Sequence, residues 1–77
     1  MIYGTRLLET DIELFTAALS KAIVYVWSLD PQGVYFQVDT GIVEKYTPDH
    51  VIIRSSQQHP RKAHLYLREN YEFSIKF

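Results

Sequence analysis

Seventy-seven residues and 9.1 kDa bound the chain to one small domain over residues 1–77, of a size that buries only about 60% of the surface its unfolded form exposes. A hydrophobic fraction of 47% with 14% aromatics excludes intrinsic disorder, and zero cysteines exclude a disulfide framework or a thiolate zinc site. No apolar run approaches the roughly 18 residues of a spanning helix, and no basic segment opens the chain, so the expectation is a cytoplasmic protein without a membrane segment.

The net charge of −1 hides an asymmetry. Residues 1–49 carry three cations against seven acids, a balance of −4, whereas residues 50–77 carry five cations against two acids, a balance of +3. His50, His59 and His64 also fall in the second part. Such a division marks a basic face on a near-neutral protein, or a chance swing of a few charges.

Ile2 to Leu8 reads as a lead-in or an edge strand weakened by Gly4. Thr10-Asp11-Ile12-Glu13 is a capping box, and its acids suit the positive end of a helix dipole. Ile12, Phe15, Leu19 and Ala22 then recur at spacings of three and four, which predicts one buried helix face. That spacing continues through Val26 and Leu29, but Ile23-Val24-Tyr25-Val26-Trp27 is dense in β-branched and aromatic residues. Asp30-Pro31-Gln32-Gly33 fits a type I turn. The helix is therefore expected to stop near Lys21, with a strand from Ala22 to Leu29. Placing Leu29 opposite Val34, Trp27 opposite Phe36 and Tyr25 opposite Val38 gives the hairpin a wholly apolar face.

Val34 to Val38 and Ile42 to Tyr46 read as one long strand, with Gly41 at a bulge or bend. Thr47 to His50 is a turn and Val51 to Arg54 a strand. Ser55 to Lys62, polar and carrying Pro60, reads as a loop. Ala63 to Arg68 and Tyr71 to Phe77 form the last strands. A turn centred on Asn70 would pair Leu67 with Phe73, Leu65 with Ile75, Ala63 with Phe77 and Arg68 with Glu72.

This order, a helix and then five short strands with the second bent at a glycine, resembles the small bent β-barrel of the Sm-like family, which includes Hfq-like RNA chaperones. Gly41-Ile42-Val43-Glu44-Lys45-Tyr46 is similar to the family's glycine-centred second strand. Tyr46 to Arg54 is similar to the turn and third strand that follow, and Leu67-Arg68-Glu69-Asn70 to the short fourth-to-fifth connection. The resemblance implies a five-stranded barrel that binds RNA or single-stranded nucleic acid. The residues alone leave open another antiparallel sheet with the helix on one face.

No phosphate loop, dinucleotide fingerprint, metalloprotease helix or nucleophile elbow occurs. His50, His59, His64 and Asp49 contain ligand types, but a solvated loop and a polar strand face account for them better than a metal. No nucleophile lies beside Asp49 and His50, so no catalytic residue, metal or cofactor is assigned. Trp27, Phe36, Phe73 and Phe77 fall on predicted inner faces. Tyr35, Tyr66 and Tyr71 fall on outward or turn positions, where they could stack bases, anchor a protein interface or stiffen the sheet.

The expected fold is α+β, an N-terminal helix packed on a strongly bent five-stranded antiparallel sheet or small barrel. The expected function is a non-enzymatic binding module of the size of a small bacterial or phage regulatory factor. It would act on a protein partner or on itself, since so many apolar segments are hard to bury in one short chain. RNA is the alternative partner. The expected face is Arg54, Arg61, Lys62, Tyr66 and Arg68, with Asn70 shaping the turn that presents Arg68.

Overall fold

Thr10 sits in extended backbone, and its side chain accepts a hydrogen bond from the Glu13 N–H at 3.3 Å in the computed structural model, which describes residues 4–56 and 60–76. Ile2, His59 and Phe77, used in the expectations above, lie outside those residues. Glu13 Oε1 accepts from the backbone N–H of Glu9 and of Thr10, each at 3.0 Å, and closes the capping box. These bonds, led by the one from Glu9, hold the Glu13 carboxyl below its ordinary range. The helix, α1, spans Asp11–Ser20 and ends as expected at Lys21, which adopts a left-handed conformation with φ 54°. The β-branched run that follows cannot extend it at low cost.

α1 buries Leu14 and Ala17, while Ile12 and Leu19 are 72% and 73% exposed and Phe15 is exposed as well. The expected helix face is therefore overturned. The helix has two apolar stripes, and the one bearing alanines faces inward because small side chains let the helix axis approach the sheet closely.

Six strands, not five, form one antiparallel sheet that is not closed: β1 (Thr5–Leu7), β2 (Val24–Leu29), β3 (Tyr35–Tyr46), β4 (His50–Ser55), β5 (Ala63–Leu67) and β6 (Glu72–Lys76). Their spatial order is β1-β6-β2-β3-β4-β5. The 12-residue β3 pairs with β2 through its first half and with β4 through its second, and Gly41 takes part in both pairings. A Cβ at Gly41 would overlap the Arg54 carbonyl oxygen, so glycine there is required by backbone approach.

The first hairpin has a register one residue away from the expected one: Leu29 faces Tyr35, Ser28 faces Phe36 and Trp27 faces Gln37. The cause is the turn. Gly33 has φ 83°, the Gly33 N–H donates to the Asp30 carbonyl at 2.9 Å, and the Asp30 N–H donates to the Val34 carbonyl at 2.9 Å. The loop is thus three residues long, a type I turn followed by a left-handed glycine. Phe36 consequently leaves the core and is exposed. Trp27 lies on the face opposite Val24 and Val26, half-buried, with its Nε1 donating to Ser74 Oγ at 2.7 Å.

The expected pairing of the last two strands is also overturned. β5 pairs with β4, whereas β6 crosses to lie between β2 and β1. In the β4 register Tyr66 faces Val51 and His64 faces Ile53, on the inner side, while Leu65 and Leu67 face Ile52 and His50 on the other side and are exposed. The core gathers Leu8, Leu14, Val24, Val26, Val43, Val51, Ile53 and Phe73. No described helix is long and apolar enough to cross a membrane.

Candidate functional site

The six residues expected to form one face are divided by β5. Arg54, Arg61 and Lys62 meet at one end: the Lys62 carbonyl accepts from the Ser55 N–H at 2.9 Å, and Arg54 Nη1 donates to the Arg61 carbonyl at 3.3 Å. Arg68 and Asn70 lie past the other end, roughly 15 Å along the strand at its usual rise per residue. Tyr66 sits between them, on the face opposite that of Arg54.

Arg54 Nη2 lies 2.7 and 2.9 Å from the two Glu44 carboxylate oxygens. Glu44 is the extra residue of a bulge in β3, where the register to β4 shifts between Val43 and Lys45, and the bulge aims its side chain at Arg54. Both partners are well solvated, so the pair adds little stability. It does neutralise the cation.

Arg68 is more committed. Its side chain is largely buried, and Nη1 donates to Asp11 Oδ1 at 2.6 Å and to the Thr47 carbonyl at 2.8 Å. One guanidinium thereby ties the first turn of α1 to the turn between β3 and β4. The adjoining cleft is lined by Pro48, Asp49, Leu67, Arg68 and Glu69, so acids flank the cation there too. Asn70 stands in the connection between β5 and β6, its N–H donating to the Leu67 carbonyl at 3.1 Å.

Tyr66, expected on the outer face, is instead packed on the core. Its ring lies 5.0 Å from that of Tyr71 in an edge arrangement, and its hydroxyl donates to Asp39 Oδ2 at 2.6 Å. The buried Asp39 also accepts from Ser55 Oγ and from the Thr40 N–H, each at 2.8 Å through Oδ1. Three donors satisfy this carboxylate in the interior. Burial first, then the bond to Asp39, raises the Tyr66 pKa well above the usual tyrosine value.

Arg61 and Lys62 are exposed, and no ion pair is made to either among the described residues. His50 Nδ1 lies 3.1 Å from Thr47 Oγ1, closing the β3–β4 turn. Among the described residues no three His, Asp or Glu side chains gather as a metal site.

Two surfaces escaped the sequence reading. One is the outer stripe of α1, Ile12, Phe15 and Leu19. The other is the tip of the β2–β3 hairpin, where Leu29, Val34, Phe36 and Val38, expected on an inner face, are exposed together with Tyr35, which was expected outward. The signal for the first was present: α1 is apolar on two sides, and one of those sides is rich in alanine. The second depended on counting the turn correctly. Compared with known protein families, curated proteins and solved structures, the chain matches none.

Proposed function

We propose that this chain is a non-enzymatic binding module that works through protein–protein contact and associates with itself. One observation carries the reading. Large apolar side chains are exposed on α1 and on both faces of the β2–β3 hairpin, and concentrations of exposed apolar surface mark interaction sites in folded proteins. The two most strongly placed cations of the basic half are engaged by acids, which weakens a phosphate-binding reading of the same surface. Light scattering over a concentration series tests it. Particle masses above 9.1 kDa are expected, and a 9.1 kDa particle at the highest concentration would overturn self-association.

A second reading is Sm-like nucleic-acid binding. It is favoured by a helix followed by five strands, β2 to β6, with the long second one carrying Gly41, and by the exposed Arg61 and Lys62. Binding to single-stranded RNA that falls steeply with salt, and whose salt slope drops when Arg61 and Lys62 are both changed to Ala, would establish it.

A further inference from the structure

The distal part of the β2–β3 hairpin is a two-stranded arm. β6 accompanies β2 only as far as Trp27, and β4 accompanies β3 only from Gly41 onward. From Ser28 to Val38 the two strands pair only with each other among the described residues. An isolated two-stranded ribbon is marginal in water without a further surface to pack on. Among the described residues, the Ser56 N–H reaches the outer edge of β3 at the Thr40 carbonyl, 2.8 Å away, and no strand pairs with it from Tyr35 to Val38. Counting from the Asp30–Val34 closure, the hydrogen-bonded pair is Ser28 with Phe36, so the N–H and C=O groups of Tyr35 and Gln37 point away from β2.

Natural edge strands are usually guarded by charge, proline, extreme shortness or a cover. β1 is three residues long and bears Arg6, and β5 is flanked by Arg61, Lys62 and Arg68. The segment Val34-Tyr35-Phe36-Gln37-Val38 has no charge and no proline. The arm's one ionisable carboxylate, Asp30, is used locally, accepting from the Gln32 and Val34 N–H groups at 2.9 and 2.8 Å.

Resting on the self-association proposed above, we propose that two copies of this chain join antiparallel along this edge, about a two-fold axis at Phe36. Tyr35 of one copy then lies opposite Gln37 of the other, and the two arms become one four-stranded ribbon. Three things select a second copy over another occupant. An uncharged edge with its own two-fold is complementary to itself. A net charge of −1 opposes association very little. The arm carries no cation for nucleic acid and no charge pattern for a charged protein. The edge strand is also apolar where it is open: Val34 and Phe36 are 58% and 47% exposed, and Tyr35 and Val38 are exposed as well.

The test uses the full chain, which contains no cysteine. Phe36→Cys places two thiols across the axis within the Cα separation a disulfide needs. Mild oxidation is expected to give a covalent dimer at least ten-fold faster than the same treatment of Ser20→Cys on α1. Gln37→Pro removes an outward N–H without touching the bonds to β2, and sedimentation equilibrium is expected to return it to 9.1 kDa with an unchanged far-ultraviolet spectrum. If the unmodified chain is dimeric but Phe36→Cys cross-links no faster than Ser20→Cys, the arm is overturned and self-association stands. If the unmodified chain is monomeric at every concentration, both fall. Should Gln37→Pro unfold, the cross-linking comparison alone decides.

Discussion

The Tyr66 hydroxyl reaches from β5, past β4, to the buried carboxylate of Asp39 on β3, 2.6 Å away. This bond spans the inner side of three strands and explains why Tyr66 is turned inward. Tyr66→Phe keeps the ring but leaves Asp39 one donor short in the interior. The expected loss is about 1–3 kcal/mol in a urea titration, the usual cost of an unmet buried polar group. Tyr66→Ala also removes the packing on the core and should cost about 3–5 kcal/mol. Stabilities equal to the parent chain in both variants would return Tyr66 to the free surface aromatics.

The same bond makes stability fall in alkali. Burial and Asp39 raise the folded pKa of Tyr66 above its unfolded value. The protonated hydroxyl is therefore favoured by folding, and its contribution is complete below about pH 10 and is lost as pH rises further. Urea midpoints between about pH 8 and pH 11 should fall in the parent chain and fall less in Tyr66→Phe. Parallel curves for the two proteins would exclude this titration as the source.

How much of this was legible in the sequence differs by scale. The capping box, the stop at Lys21 and one long strand through Gly41 follow from local chemistry, and the structure agrees with each; the strand expected from Ala22 starts at Val24, and the bulge expected at Gly41 lies instead at Glu44, Gly41 being required by close backbone approach. What failed was the choice between partners of similar hydropathy. Leu65 and Leu67 alternate as cleanly with His64 and Tyr66 whichever side is core, and only the long-range pairing of β5 with β4 decides it. A buried Asp39 gave no local sign that it would draw Tyr66 inward. The expected basic face failed for a related reason. Glu44 and Asp11 are remote in sequence from Arg54 and Arg68, and folding brings each acid to its cation.

Arg68 joins three segments, so its removal should loosen the helix start. Its guanidinium bonds Asp11 and the Thr47 carbonyl, and Arg68→Ala leaves that carbonyl and the helix tether unmet. Asp11 is well solvated, which discounts the ionic part. About 1–2 kcal/mol is expected from the hydrogen bonds and the lost packing. The milder change Arg68→Lys should recover less than half of that loss, because an ammonium lacks the planar fork that serves both acceptors. Hydrogen exchange should accelerate most in the first turn of α1.

Gly41→Ala should be among the most damaging single changes in the chain. The added methyl group meets backbone on β4, which cannot rotate aside as a side chain could. Overpacking commonly costs about 1–3 kcal/mol, and backbone contact places this case at or above the upper end. A folded Gly41→Ala protein with parent-like thermal stability would show that β3 and β4 are farther apart than described.

The two leucines of α1 give the cleanest test of which stripe faces the core. Leu14 has no exposed surface and sits in the main cluster, whereas Leu19 is 73% exposed. Removing a buried leucine loses its transfer energy and leaves a cavity, so Leu14→Ala should cost about 2–5 kcal/mol. Leu19→Ala deletes a side chain that is already in water, and alanine is the better helix former, so the change should stay within about ±0.5 kcal/mol in the isolated chain. The helical spacing of Ile12, Phe15 and Leu19 on its own predicts the reverse ranking. Chemical denaturation of both variants at low protein concentration separates the two. Low concentration matters because association through the outer stripe would add a loss to Leu19→Ala that grows with concentration. A cost for Leu19→Ala that exceeds that of Leu14→Ala even in dilute solution would mean that α1 is rotated about its axis relative to this structure.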